Sequence, residues 1–334
     1  MKLKESCIKN ENYVKKLSLD YDILVDGKAD EQGNCFKSVG KALEYAQKLA
    51  GKAVIYVKNG IYKEKLAVTR PDTLIVGESA LDTVITFDDC AGKPGANGEP
   101  MGTFNSATMS VLKAAERFCM YNITVENTYD RVKEPMDGGQ AVALRVDADK
   151  CIFENVVLTS DQDTLYANTG RHYFYNCYIE GDVDFIFGQA QSVFENCDIV
   201  SDDRDNDIKG YIAAPRTELE YPYGYLILNC RLLNTIKNPS ETVYLARPWR
   251  RNGSVAFINC YMQQHIKSEG YTTMGKDENK NYPENARFFE YGSYGEGAKT
   301  SPTRKLADKN TIAHFTKQNV WGNNNNMYKD TWLG

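Results

Sequence analysis

The chain has 334 residues, a charged fraction of 25% and a formal net charge of −5. This length allows one large domain or two of ordinary size, and a hydrophobic fraction of 42% is that of a folded protein rather than a disordered one. The acidic balance disfavours nucleic acid as a partner, since phosphate binding needs a basic face, and no run of ~18 apolar residues predicts a membrane-spanning helix.

The amino-terminal segment and the cysteines bear on the compartment. Residues 1–17 contain neither the apolar core nor the small-residue cleavage site of a secretory signal. Nine cysteines are widely spaced without a CxxC pair, which disfavours structural zinc and favours reduced, buried thiols. We therefore expect a cytoplasmic protein, or a secreted one if a signal peptide has been removed.

The first predicted elements are a helix and short strands. Residues 36–49 place apolar side chains at helical spacing, and we expect this amphipathic helix to cap one end of a stacked structure. Short apolar runs at 53–57, 74–76 and 83–87 predict strands. No linker divides the chain, so we predict one domain over residues 1–334.

One six-residue phrase then recurs six times. It reads aromatic or apolar, any residue, Asn, small or apolar, any residue, and finally an aliphatic residue or Met. The copies lie at 120–125, 153–158, 174–179, 194–199, 227–232 and 257–262. Repeats 20 to 33 residues apart, with no long helical pattern between them, are typical of a parallel β-helix whose stacked coils bury one core. The recurrent Asn is expected at a turn, stacked on itself from coil to coil.

Two carboxylates occupy the same phase of neighbouring repeats. Asp163 lies eight residues after Asn155, and Asp184 lies eight residues after Asn176. Coils in register would place them roughly 4.8 Å apart along the stack. Repulsion would then leave one ionised, as nucleophile or base, and the other protonated, as an acid. Solvated loop residues and a cation site are the alternatives that the spacing leaves open.

Common hydrolase and kinase signatures are absent from the sequence. There is no GxSxG, HExxH or GxxxxGK[ST] segment. The three histidines, His172, His265 and His314, are expected at the surface or in packing rather than in a catalytic triad.

Five short blocks carry a family resemblance. They are GIYKE at 60–64, QAVALR at 140–145, QDTLY at 162–166, DFIFG at 184–188 and YLARPW at 244–249. Over about residues 20–325 the sequence resembles the pectinesterases, the pectin methylesterases of carbohydrate esterase family 8. The resemblance implies an all-β, right-handed parallel β-helix with an open cleft.

The resemblance also implies an activity, the hydrolysis of C6 methyl esters of galacturonate. The substrate would be pectin or a methylated oligogalacturonide, and the products methanol and a free carboxylate. No metal or other cofactor is implied, and we expect a monomer with neither nucleic acid nor membrane as partner.

Catalytic roles follow from the resemblance for five residues. Asp184 would be the nucleophile, and Asp163 the general acid and then base. Gln140 and Gln162 would donate hydrogen bonds to the oxyanion, and Arg247 would hold and orient Asp184.

Substrate-binding roles are expected for five more residues. Trp249 would stack on a sugar ring, and Tyr166 and Phe187 would line the cleft, although at least one Phe of DFIFG must point into the core. Arg216 would meet a substrate carboxylate or form a structural ion pair. Thr108 would contact substrate or have no role.

Three positions qualify the resemblance. Ala246 stands where the family has Gly, and its methyl group is expected to shift Arg247 slightly. Residues 268–284 do not match the plant-type pattern, which leaves length preference and processivity open. Glu64 of GIYKE is interpreted as structural.

Two other functions compete with the esterase. Paired carboxylates also serve β-helix polysaccharide hydrolases, with lyases as a related possibility, and aromatic residues alone suffice for a non-catalytic carbohydrate-binding solenoid. Release of methanol without shortening of the polysaccharide separates the three.

Overall fold

Short parallel strands make up most of the regular structure. The computed structural model describes residues 3–8, 20–276, 280–304 and 306–322. Within these residues there are four short helices, α1 Leu3–Cys7, α2 Val39–Ala46, α3 Lys309–Ile312 and α4 Lys317–Trp321, and two 3₁₀ turns at Thr103–Asn105 and Pro283–Asn285. The contacts divide the chain into two compact units: Met1–Tyr166 with Tyr175–Ile179, and Ala167–Phe174 with Glu180–Gly334. The single-domain organisation stays a prediction.

The first unit contains thirteen complete strands among its described residues. They are β1 Ile23–Val25, β2 Cys35–Phe36, β3 Ala53–Val57, β4 Gly60–Lys63, β5 Leu66–Val68, β6 Thr73–Gly77, β7 Thr83–Phe87, β8 Met109–Val111, β9 Cys119–Tyr121, β10 Thr124–Asn127, β11 Leu144–Val146, β12 Cys151–Glu154 and β13 Val157–Thr159. Three parallel sheets run in the orders β2-β1-β3-β6-β9-β12, β4-β7-β10-β13 and β5-β8-β11. From β6 onward the chain visits these sheets in strict rotation, so every three strands complete one coil.

The second unit repeats this construction. Three strands contain the division between the units: β14 Leu165–Ala167, β15 Arg171–Tyr175 and β16 Tyr178–Gly181. Its own strands are β17 Val183–Gly188, β18 Gln191–Glu195, β19 Asp198–Ser201, β20 Gly210–Pro215, β21 Tyr225–Leu228, β22 Arg231–Asn234, β23 Val243–Ala246, β24 Ser254–Ile258, β25 Tyr261–Met262 and β26 Arg287–Tyr291. Its sheet orders are β18-β21-β24-β26, β19-β22-β25 and β17-β20-β23, again one strand per sheet per coil. The predicted parallel β-helix is confirmed.

The recurrent Asn occupies the corner between a strand of one sheet and the next strand of another. All six copies have a positive φ, between 51° and 57°; they are Asn122, Asn155, Asn176, Asn196, Asn229 and Asn259. Asn tolerates this left-handed conformation better than other non-glycine residues. The Asn155 side-chain amide donates to Asn122 Oδ1 at 2.8 Å, and Asn122 donates to the Gly77 carbonyl at 3.0 Å. The predicted turn is confirmed, and so is the predicted stacking for this pair.

Inward-facing side chains stack in register to form the core. In the first unit Ile55 aligns with Ile75, and Ile75 with Met120, all without exposed surface. In the second unit Ile227 aligns with Phe194 and Phe257 in the same way. The core is therefore a column of apolar layers, one per coil, which needs short alternating strands rather than long hydrophobic ones.

The helix predicted over residues 36–49 is present but shorter, as α2 Val39–Ala46, because Phe36 belongs to β2 and Ser38 caps the helix. Ser38 accepts a hydrogen bond from the Lys41 amide as N-cap, and the helix buries Val39, Ala42, Leu43 and Ala46. The Glu64 carboxylate accepts hydrogen bonds from the Val39 and Gly40 amides, both at 2.8 Å. A carboxylate stabilises a helix N-terminus by satisfying its free amides. The structural interpretation of Glu64 is therefore confirmed.

The cysteines are mostly buried along the coils. No disulfide joins any of them within the described residues. Burial raises the pKa of the Cys260 thiol to about 12 and that of Cys151 well above its ordinary value. The sulfur of Cys260 donates to the Ile227 carbonyl at 3.4 Å, so these thiols are packing groups of the core.

Candidate active site

Asp184 lies at an irregular point of β17. The pairing of β17 with β20 changes register between Val183 and Ile186, and Asp184 has a φ of 54°. Bulges of this kind re-aim a side chain, and strained conformations cluster at functional sites. Gly188 closes the same strand with a φ of 125°, where a Cβ would lie 2.0 Å from the Ala167 carbonyl oxygen. The last residue of DFIFG therefore has to be glycine.

Asp184 and Arg247 form a bidentate (two-pronged) ion pair. Arg247 Nε lies 2.7 Å from Asp184 Oδ1, and Nη2 lies 2.6 Å from Oδ2. Burial raises the pKa of Asp184 above its ordinary value, with Asp182 adding to the rise, while Arg247 pulls that pKa down. The result is a desolvated, more basic carboxylate oriented by a fixed guanidinium. The expected pairing of Arg247 with Asp184 is thus present.

Arg247 is held from its other face by aromatic rings. Its guanidinium lies 3.8 Å from the centre of the Tyr211 ring, and Tyr211 stacks on Tyr244 at 5.8 Å with an interplanar angle of 6°. Ala246 is fully buried beside Arg247, and the ion pair with Asp184 persists despite its methyl group. Sequence reasoning missed Tyr211. The signal for it is register, since Tyr211 pairs with the first residue of YLARPW.

Phe187 and Arg216, the other residues of the second unit expected to bind substrate, both contact the Trp249 ring. Its ring lies 5.9 Å from that of Phe187, which is buried, and the Arg216 guanidinium lies 5.0 Å from the Trp249 ring centre. Arg216 also donates to Gln189 Oε1 at 2.7 and 3.0 Å. No carboxylate of the described residues forms an ion pair with Arg216, so the alternative of a structural ion pair receives no support.

The segments that contain Gln140 and Gln162–Asp163 lie side by side in the first unit. The Ala141 amide donates to the Gln162 carbonyl at 3.0 Å, which sets the segments of the two glutamines side by side. Both glutamines are partly exposed, and Asp163 is buried. Asp163 has a φ of 69°, so it shares with Asp184 both the distance from the preceding Asn and the left-handed backbone.

Two expected substrate contacts need correction. The Thr108 side chain is fully buried and its hydroxyl donates to the Glu126 carbonyl at 2.9 Å, so Thr108 does not face a cleft. Tyr166 is only 2% exposed, because Phe104 stacks on it at 4.7 Å and an angle of 11°. The accessible ring is therefore Phe104, which is 39% exposed and which the sequence did not single out.

The three histidines are not among the residues of this arrangement. His172 and His265 are fully buried, while His314 is exposed. In the part of the chain that the structure describes, no three His, Cys, Asp or Glu side chains are grouped to hold a metal ion.

The family model described as Pectinesterase matches residues 24–325. The chain belongs to the pectinesterase family. Pectinesterase A of Dickeya chrysanthemi is 35% identical over 333 residues, covering 89% of this chain and 90% of that protein. Pectin methylesterase PemA from Erwinia chrysanthemi matches with a TM-score of 0.84 at 33% identity, over 91% of this chain and 98% of that one. A pectin methylesterase crystallised with a hexasaccharide matches with a TM-score of 0.83 at 33% identity and the same coverage.

Membership decides the fold class and the activity. The protein is an all-β, right-handed parallel β-helix and a carboxylic ester hydrolase that de-esterifies pectin. The hydrolase, lyase and binding-only alternatives give way to the esterase. The comparisons do not support the cytoplasmic expectation, and among the described residues no helix is long and apolar enough to cross a membrane.

Proposed function

We propose that Asp184 is the nucleophile of this pectinesterase and Asp163 its general acid and base. The observation that carries the proposal is the two-pronged pairing of a buried, more basic Asp184 with Arg247. A nucleophilic carboxylate must stay ionised, be aimed, and retain basicity, and these three conditions meet at Asp184.

The reaction has two balanced steps. An Asp184 oxygen attacks the C6 carbonyl carbon, and the methoxy group leaves as methanol with the proton of Asp163, which forms an acyl anhydride. Water then attacks the sugar's acyl carbon and gives one proton to ionised Asp163, which breaks the bond to Asp184 and regenerates both aspartates. The galacturonic acid that is released keeps the second proton of the water and loses it to solvent, which leaves the free carboxylate.

Gln140 and Gln162 are proposed as the oxyanion donors. Their adjoining segments and partial exposure fit two amide groups directed at one oxygen. Neutral donors stabilise the developing charge without holding the anionic product tightly.

Trp249 and Arg216 are proposed to bind the pectin oligosaccharide. A sugar ring would stack on Trp249, and Arg216, which no described carboxylate neutralises, would meet a galacturonate carboxylate beside it. Phe187 supports the Trp249 ring.

Methanol release from methylated pectin tests the assignment. Asp184→Asn keeps the size of the side chain, and we expect methanol release to fall by roughly 10³-fold or more with substrate binding retained. Asp207→Asn, at an exposed carboxylate, is the matched control and should retain activity. Wild-type activity in Asp184→Asn would refute the assignment of Asp184 as the nucleophile.

We also propose that the protein is a monomer. Light scattering, which measures the mass of the protein in solution, tests this.

A further inference from the structure

A cavity of about 560 Å³ in the second unit takes no part in the proposed reaction. Its lining combines aromatic rings, hydroxyl groups and two carboxylates, chiefly Tyr244, Tyr271, Phe288, Thr272, Glu269 and Glu284. Aromatic faces with a few polar groups suit the apolar face and the hydroxyls of a sugar ring. Its size and chemistry therefore fit one or two sugar units.

The cavity is connected to the candidate active site through stacked rings. Tyr244, which lines it, stacks on Tyr211, and Tyr211 lies against the guanidinium that holds Asp184. Tyr244 also lies within β23, three residues before Arg247. A sugar in the cavity would thus lie close to the reacting unit of the same oligosaccharide.

The charge of the lining discriminates between esterified and free uronates. No Lys, Arg or His belongs to the lining among the described residues, whereas Glu269 and Glu284 do. Lys267 is not part of the lining, but its Nζ lies 3.9 Å from Glu269 and 5.4 Å from the Tyr244 ring centre, so it offsets the charge of one of the two carboxylates. An uncharged sugar is accepted at such a surface, while a free carboxylate is repelled.

We propose that this cavity is a subsite for a methyl-esterified, uncharged uronate unit and that Glu269 and Glu284 exclude the de-esterified one. The inference rests on the proposed function and adds a specificity determinant to it. Glu269, Thr272 and Glu284 come from residues 268–284, the segment that departs from the plant-type pattern. On this proposal, residues 268–284 select a methyl-esterified unit beside the unit whose ester is cleaved.

Removal of the two charges tests the exclusion. Both side chains are exposed, so the double variant Glu269→Gln, Glu284→Gln should fold. At pH 7 and low salt, we expect it to bind fully de-esterified hexagalacturonate roughly five-fold more tightly than wild type by calorimetry, with the gain shrinking in high salt. Glu218→Gln with Glu220→Gln, at exposed positions outside the cavity, should change nothing. Equal affinities for wild type and the double variant would overturn the proposal.

Filling the cavity tests its occupancy. Thr303 is exposed at its rim, and Thr303→Trp should raise KM for a methylated hexamer by several-fold while leaving KM for a methylated dimer unchanged. An unchanged hexamer KM would also overturn the subsite. Methanol release that is insensitive to all these variants refutes this inference alone. Wild-type methanol release from Asp184→Asn, together with the expected effects of the cavity variants, would instead refute the proposed function and leave the subsite standing.

Discussion

Asp184 is a carboxylate that is buried away from solvent and paired with the guanidinium of Arg247. Burial raises its pKa and Arg247 lowers it, so the two effects oppose each other at the same group. The outcome suits a nucleophile, because an anion stabilised chiefly by one ion pair with Arg247 remains more reactive than one that is fully solvated. The backbone strain at Asp184, with its φ of 54°, is sustained by the surrounding pairing of β17 with β20.

Leaving-group chemistry separates the two aspartates. With an activated ester, departure of the alcohol needs little acid assistance, so Asp163→Asn should release about one equivalent per enzyme and then stop, since anhydride hydrolysis lacks its base. Asp184→Asn should give no burst. Stopped-flow detection of the leaving group measures both. A burst from Asp184→Asn alone would exchange the two roles.

The pH profile reports the ion pair. Because Arg247 lowers the pKa of Asp184, Arg247→Gln should raise that pKa, and the acidic limb of kcat should move to higher pH. Arg247→Lys keeps the charge but not the two-pronged geometry, so kcat should fall with a smaller movement of the limb. Kinetics on methylated oligomers from pH 4 to 8 measure both. An unmoved limb in Arg247→Gln would show that Arg247 does not control Asp184 ionisation.

The spacing of residues in the sequence predicted the features that depend on position within one coil. It did not predict the features that depend on contacts with residues of the next coil. The Asn corners, the shared phase of Asp163 and Asp184, and α2 all follow from local periodicity. The burial of Thr108 and the support from Tyr211 depend on which residues of the next coil lie opposite, and coils of unequal length hide that register in the sequence. The same limit concealed Phe104 covering Tyr166.

At the scale of one element, the Asn corner joins two strands with two residues. The corner needs a positive φ and also leaves backbone groups that the side-chain amide satisfies, as Asn122 does for Gly77. Asn meets both needs, and glycine meets only the first. The six copies of the repeat all have Asn at this corner, where each of them has a positive φ.

Asn155 allows these two contributions to be measured separately. Asn155→Gly keeps the φ of 53° and loses the bond to Asn122, so we expect a loss of about 1–2 kcal/mol. Asn155→Ala loses the bond and also strains the backbone, which should cost about 1–2 kcal/mol more. Urea unfolding of the three proteins gives the values. Equal stabilities of the Gly and Ala variants would contradict the argument from φ.

For the whole molecule, stability does not depend on disulfides within the described residues. We expect a reducing agent to leave the melting temperature unchanged. Alkylation of the unfolded, unreduced protein should add nine groups by mass, one per cysteine of the chain. A count of seven would reveal one disulfide, and the melting temperature would then have to fall on reduction.

The response of the whole molecule to acid should depend on His265. This side chain is fully buried, its Nδ1 lies 3.4 Å from the Asn234 amide nitrogen, and its Nε2 has no hydrogen-bond partner among the described residues. Burial lowers the pKa of His265 from 6.5 to about 3. Between these two pH values the unfolded chain binds a proton that the native state does not, so stability is complete above pH 6.5 and falls as the pH drops.

The slope of that loss is the measurable quantity. One group contributes at most about 1.4 kcal/mol per pH unit, and at pH 6.5 the unfolded-state histidine is half protonated. Wild type should therefore lose roughly 2 kcal/mol between pH 6.5 and 4.5, a window above the titration of most carboxylates. Urea unfolding across this window should give a shallower dependence in His265→Gln, whatever the absolute stability of that variant. His314→Gln, at an exposed histidine, is the matched control and should keep the wild-type slope. Equal slopes in all three proteins would mean that His265 takes up its proton in the folded state, and that its burial does not exclude water.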